Sequence, residues 1–131
     1  MVRVKSWFPV LLWATLIFSF SSIKVSALPH VNIYHIDKIA HFLEFFIFAV
    51  LLSSALKETS PRWFPVKILV ISAIIASLYG LMDEYHQSFV LYRTPDFFDF
   101  VSDALGAIIG AVVFMNRTKK GIRRDAGDKT I

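Results

Sequence analysis

Residues 6–23 read SWFPVLLWATLIFSFSSI, eighteen residues without a charge, framed by Lys5 and Lys24. At 1.5 Å per residue a helix of this length reaches about 27 Å, close to the hydrocarbon thickness of roughly 30 Å. Outward from it come three more apolar stretches, at about 39–56, 63–82 and 97–115. His41 and Glu44 fall in the first turns of the second stretch, and Lys67 lies near enough to one end of the third to snorkel. Hydrocarbon leaves free backbone groups unsatisfied, so spans of this length are helices. The expected fold class is all-α, an integral membrane bundle of four transmembrane helices. The composition agrees: of 131 residues, 56% are hydrophobic and 18% charged. A soluble domain this small has a large surface to cover and carries about 25% charged residues. The absence of cysteine removes disulfides, a thiol nucleophile and a thiolate metal site.

Direction follows from the basic residues. Arg3 and Lys5 precede the first span, Lys57, Arg62 and Lys67 follow the second, and Arg117, Lys119, Lys120, Arg123, Arg124 and Lys129 follow the fourth, eleven on one side. Only Lys24, Lys38 and Arg93 fall on the other. The positive-inside rule therefore predicts both termini in the cytoplasm, N-in/C-in, with the two remaining loops outside. Residues 1–116 form the membrane domain and 117–131 a loose basic cytoplasmic tail. That tail lacks aromatics and abuts the membrane, so anionic lipid headgroups rather than nucleic acid are its expected partner. Residues 1–27 also read as a secretory signal, with Val25-Ser26-Ala27 as the cleavage pattern, and cutting there leaves three spans with the same orientation.

The ionisable groups are unevenly placed. All four histidines, His30, His35, His41 and His86, fall in the outer loops or outer turns, as do seven of the ten acids: Asp37, Glu44, Asp83, Glu84, Asp96, Asp99 and Asp103. Charges within membrane helices are costly and tend to face a cavity or a partner. Asp37, His41 and Glu44 are spaced by four and three, so they share one face of the second helix. Ser72, Ala76 and Gly80 form a small-residue stripe on the third helix that leads to Asp83, Glu84 and Gln87. On the fourth, Asp99 and Asp103 continue into Gly106 and Gly110, a Gly-x-x-x-Gly packing face. If the two small stripes face each other, the acids of both helices converge on one outward-opening pocket, with His41 and Arg93 beside them. The glycines Gly80, Gly106 and Gly110 are read as packing residues, a homodimer contact being the alternative for the last two.

A pocket of this composition suits several chemistries. His with Asp and Glu can hold a divalent metal, with His41, Asp83 and Asp99 as candidate ligands. Paired carboxylates and a histidine also suit general acid and base work without metal. Arg93 suits a phosphate or carboxylate through its planar fork, or an ion pair with Asp96, Asp99 or Asp103. Against these stand plainer roles. Asp37 can cap the second helix, and Thr94-Pro95-Asp96 reads as the start of the fourth, with cap, proline and acid in order. His30, His35 and His86 read as exposed loop residues.

The polar residues resemble a family pattern: Asp37-Lys38-x-x-His41-Phe42 opening the second span, Asp83-Glu84-x-x-Gln87-x-Phe89-x-x-x-Arg93, and Asp99-x-x-x-Asp103-x-x-Gly106. In order and spacing, from about Trp7 to Met115, the chain is similar to the VanZ-like family of bacterial membrane proteins. Asp103 stands where that family often has asparagine and Phe45 where tyrosine is common; the family pattern gives Glu44 no role. The resemblance implies a bacterial inner-membrane, multi-pass protein in a cell-envelope setting, linked in some members to resistance to the antibiotic teicoplanin. It implies no agreed activity. The expected function is binding of an envelope lipid or lipid-linked cell-wall component, or contact with an envelope protein, at a pocket of Asp37, Lys38, His41, Asp83, Glu84, Gln87, Arg93, Asp99 and Asp103. A membrane hydrolase or transferase using the same residues is the enzymatic alternative, and a scaffold with every carboxylate paired and no cavity is the structural one.

Overall fold

The computed structural model describes residues 4–23, 34–91 and 93–128. Lys24, Val25-Ser26-Ala27, His30, Tyr92 and Lys129 lie outside the described residues, as do the side chains of His35, Arg123 and Arg124. Four helices follow one another: α1 Val4–Ser21, α2 Tyr34–Thr59, α3 Pro65–Gln87 and α4 Phe97–Asp128. Each is long and apolar enough to cross a membrane, and the described residues contain no strand. Large apolar side chains such as Leu43, Ile74, Leu78 and Leu105 point outward, as a bilayer requires and water would penalise.

Several hydroxyl groups on the helices are satisfied locally. Thr15, Ser19, Ser22, Thr59, Ser102 and Thr118 donate to the carbonyl four residues earlier at 2.7–3.0 Å, the economical solution where no water competes. Pro65 opens α3, where its missing N–H costs nothing, after Phe64 in extended conformation. Pro9 lies inside α1.

The helices run alternately up and down. Ser6 near the start of α1 bonds Glu58 at the end of α2. Further along α1, Trp13 Nε1 donates to the Glu44 carbonyl at 2.9 Å and Ala14 O accepts from Tyr79 Oη at 2.8 Å. Past its end, Ser22 meets His86 at 3.1 Å. These polar contacts tie α1 to α2 and α3, its Val10 and Ile17 enter the apolar core, and α2, α3 and α4 make the closer-packed body. Phe45, Phe48, Ala49 and Leu52 of α2 meet Ile68, Ala76 and Ala107 in the core. Ser53 donates to Ser72 at 2.8 Å across the α2–α3 seam, and the Ser72 hydroxyl donates in turn to Ile68 O at 2.8 Å.

The small-residue stripes do not face each other. A Cβ on Gly106 would stand 2.2 Å from the Phe42 carbonyl oxygen and one on Gly110 2.4 Å from that of Phe46, so the glycine face of α4 lies on α2. Gly80 of α3 instead makes room for the Asp103 side chain. The tightest approach is thus α2–α4, and this sets where the acids of α4 land. The helix limits also differ from the apolar limits. α3 continues through Gln87, which puts Asp83, Glu84 and Gln87 on its last turns. α4 begins at Phe97 with Asp96 as its cap, Phe98 N donating to Asp96 Oδ1 at 2.9 Å, rather than at the Thr94-Pro95 pair. It also carries on through the stretch expected to be loose, as far as Asp128.

Candidate functional site

The start of α2, the end of α3 and the start of α4 share one end of the bundle, with the end of α1 beside them. Their polar residues assemble there. Lys38 reaches across to α4 and holds both Asp96 (2.7 Å) and Asp99 (2.6 Å). One turn on, His41 Nδ1 lies 2.9 Å from Asp103 Oδ1, both residues buried and Asp103 wholly so. On α3, Gln87 Nε2 donates to Asp83 Oδ2 at 2.9 Å, and Gln87 Oε1 accepts from Arg93 Nη1 at 3.1 Å. Glu84 Oε2 takes the backbone N–H of Asp96 at 3.0 Å, which ties the end of α3 to the start of α4.

Arg93 does not pair with the acids of α4. Its other nitrogens lie 3.4 Å from Ile23 O and 3.5 Å from Phe20 O, so it closes over the end of α1 while Lys38 neutralises Asp96 and Asp99. His86 packs its ring 4.4 Å from Phe18 and is half-buried rather than an exposed loop residue.

Between these groups lies a cavity of about 50 Å³, lined by Ser21, Asp37, His41, Glu44, Asp83, Gln87 and Arg93, with Phe20 and Ala40. One water needs about 10–15 Å³ of such volume. The cavity therefore admits a few waters or a small ion and encloses nothing the size of a sugar. Three buried polar atoms have no hydrogen-bond partner among the described residues: Ser21 Oγ, Glu84 Oε1 and Asp103 Oδ2. The network is thus incomplete, unlike that of a scaffold with every group paired.

The nine sequence-derived pocket residues lie at this end, but not on one surface. Asp37, His41, Asp83, Gln87 and Arg93 line the cavity, Lys38, Asp99 and Asp103 form the α2–α4 bridges behind it, and Glu84, which does not line it, joins α3 to the Asp96 N–H. Glu44 and Ser21 line the cavity without having been in that set. The signal for Glu44 was its place three residues after His41, whereas nothing in the sequence singles out Ser21. Asp96 also joins the site, as a partner of Lys38.

Asp96 lies just before α4, and the Lys38 ammonium, followed by the Phe98 N–H, holds its carboxyl below the ordinary carboxylate value. A depressed folded value means that its contribution is complete above the unfolded value of about 3.9 and is lost as pH falls through the folded one. Thermal melts of Asp96→Asn should therefore lie below wild type at pH 6 and converge on it as pH falls through the depressed folded value; a constant gap would show that the shifted carboxyl is not the source.

An acid–histidine cluster held by three membrane helices, with Asp37-Lys38-x-x-His41, Asp83-Glu84-x-x-Gln87 and Asp99-x-x-x-Asp103-x-x-Gly106 all at one end, gives the sequence pattern a spatial meaning. No curated protein and no solved structure matches the chain. The family model described as VanZ/LLP1 matches residues 6–118, nearly the whole bundle. With its four apolar helices and this polar end, the chain belongs to the VanZ/LLP1 family.

Proposed function

We propose that the polar end binds the phosphate-bearing head of an envelope lipid or lipid-linked cell-wall component, and that it faces outward from the bacterial inner membrane. The observation that carries this is the double position of Asp83. It lines the polar cavity and also an apolar groove of about 360 Å³ with Phe18, Tyr79, Met82, Tyr85, His86 and Phe89. Head and tail of an amphiphile then have adjoining places, the tail against side chains that already face lipid. The small cavity leaves the head at its mouth, where Arg93 offers a charge-assisted hydrogen bond. The outward orientation rests on the eleven basic residues assigned to the opposite side. Resistance to teicoplanin would follow if the component held there belongs to cell-wall synthesis.

Native mass spectrometry of the detergent-purified protein tests this, with phosphatidylglycerol, a polyprenyl phosphate and uncharged diacylglycerol as probes. The phosphate-bearing lipids should bind and diacylglycerol should not. Arg93→Ala should weaken phosphate-lipid binding about 10- to 100-fold, the worth of one hydrogen bond to a charged group. Equal binding of all three lipids would remove the headgroup from the account. The buried His41–Asp103 pair favours a second reading, hydrolysis or transfer at that headgroup, since a carboxylate-oriented imidazole is the usual general base. Release of phosphate from a bound polyprenyl phosphate would identify it.

A further inference from the structure

Seven carboxylates, Asp37, Glu44, Asp83, Glu84, Asp96, Asp99 and Asp103, gather at the polar end against Lys38, Arg93 and His41. Even with His41 charged, the acids outnumber the bases, which opposes a phosphate unless further positive charge is present. Two groups of side chains offer one ligand atom each within 4.8 Å of one another: Asp37, His41 and Asp99, and His41, Asp83 and Glu84. They are not equivalent. Asp99 already gives an oxygen to the Lys38 ammonium at 2.6 Å, and that ammonium would repel a nearby cation. Glu84 is 6% exposed and has a carboxylate oxygen, Oε1, with no hydrogen-bond partner among the described residues.

His41 is set up in the manner of a metal ligand. Its Nδ1 is engaged by Asp103, leaving Nε2 for a ligand position, the carboxylate–histidine arrangement that fixes tautomer and ring orientation in metal sites. An independent sign of an occupant comes from α1. Ser21 is 4% exposed, its hydroxyl has no hydrogen-bond partner among the described residues, and it lines the same small cavity as His41 and Asp83. A cavity of about 50 Å³ fits an ion with a few waters.

From these observations we infer that His41, Asp83 and Glu84 bind one divalent cation, with waters completing its coordination and Ser21 Oγ bonding one of them. One imidazole and two carboxylates favour a first-row divalent ion such as Zn²⁺ or Mn²⁺ over Ca²⁺, which takes six to eight oxygens. The ion deepens the headgroup reading, for it supplies the positive charge a phosphate needs at an otherwise acidic mouth.

The test uses the purified, chelator-stripped full chain in detergent, titrated with Mn²⁺ or Zn²⁺ alone and followed by calorimetry and, for Mn²⁺, by electron paramagnetic resonance. Wild type should take up one ion per chain in a saturable manner. His41→Ala should weaken binding at least about a hundredfold, and Glu84→Gln, which keeps an acceptor for the Asp96 N–H, at least about tenfold. Asp103→Asn acts only through His41 and should cost about tenfold. Should His41→Ala fail to fold, wild type and Glu84→Gln still decide. No saturable uptake by wild type would overturn the site. Unchanged affinity in Glu84→Gln, or loss confined to Asp37→Asn and Asp99→Asn, would overturn the ligand assignment. Lipid is absent throughout, so an ion that binds where phosphatidylglycerol does not, or the reverse, separates failure of this site from failure of the headgroup reading.

Discussion

Gly106→Ala is expected to lower the thermal stability of the bundle more than any other single-methyl addition. Its new Cβ would sit 2.2 Å from the Phe42 carbonyl oxygen, a backbone atom that cannot swing aside as a side chain can. Relief requires α4 to withdraw from α2 by roughly an ångström along the closest-packed interface, and overpacking of this kind costs about 1–3 kcal/mol or more. The intrinsic helix preference for alanine over glycine returns about 1 kcal/mol. The unyielding backbone contact puts the cost at the upper end of that range, so the net loss expected is up to about 2 kcal/mol for Gly106→Ala, with Gly110→Ala close behind at 2.4 Å from Phe46 O. Gly106→Leu should not assemble. Gly121→Ala, with nothing within 4 Å, is the control and should be neutral or slightly stabilising. Melting curves in detergent measure the series; equal behaviour of Gly106→Ala and Gly121→Ala would contradict the close α2–α4 contact.

Asp103→Ala should be the second severe substitution, for an electrostatic reason. Asp103 is wholly buried and bonds His41 Nδ1 at 2.9 Å, so its removal strands a buried ring nitrogen. Breaking such a pair costs about 3–5 kcal/mol when the partner is charged and about 1–3 kcal/mol when it is neutral. Asp103→Asn keeps both the volume and an acceptor oxygen for the His41 N–H, and should lie within about 1.5 kcal/mol of wild type. Asparagine is also what the VanZ-like pattern often carries at this place. The contrast separates packing from charge: alanine and asparagine variants that melt alike would show that the His41 bond contributes little. Gly80→Ala touches the same group from α3, because its Cβ would meet Asp103 Cβ at 2.9 Å and Oδ2 at 3.0 Å. A disturbed His41 geometry should follow from it without any change to a polar residue.

Much of the site was legible before any coordinates. His41 and Asp37 share a face because they are four apart, and Asp99 and Asp103 do so for the same reason. Glu44 was legible on the same grounds, although the family pattern omits it. Partner choice was not legible. Arg93 and Lys38 were both near the acids in sequence terms, and only the folded chain assigns Lys38 to Asp96 and Asp99 while sending Arg93 to Gln87 and the carbonyls of α1. Ser21 could not be found at all, since a serine in an apolar helix normally bonds its own backbone, as Ser19 and Ser22 do.

By itself the sequence determined that this is a four-helix membrane protein of a recognisable pattern, with its acids and histidines drawn to one end. Those properties follow from the cost of leaving backbone groups or charges in hydrocarbon, which acts on each segment separately and is written in local composition. The tertiary structure decided which face meets which. A Gly-x-x-x-Gly spacing specifies a smooth face but not its partner, and the choice of α2 over α3 depends on the packing of all the helices together. That choice brings Asp103 to His41, leaves Glu84 Oε1 and Ser21 Oγ without hydrogen-bond partners among the described residues, and limits the cavity between Ser21, His41 and Asp83 to about 50 Å³.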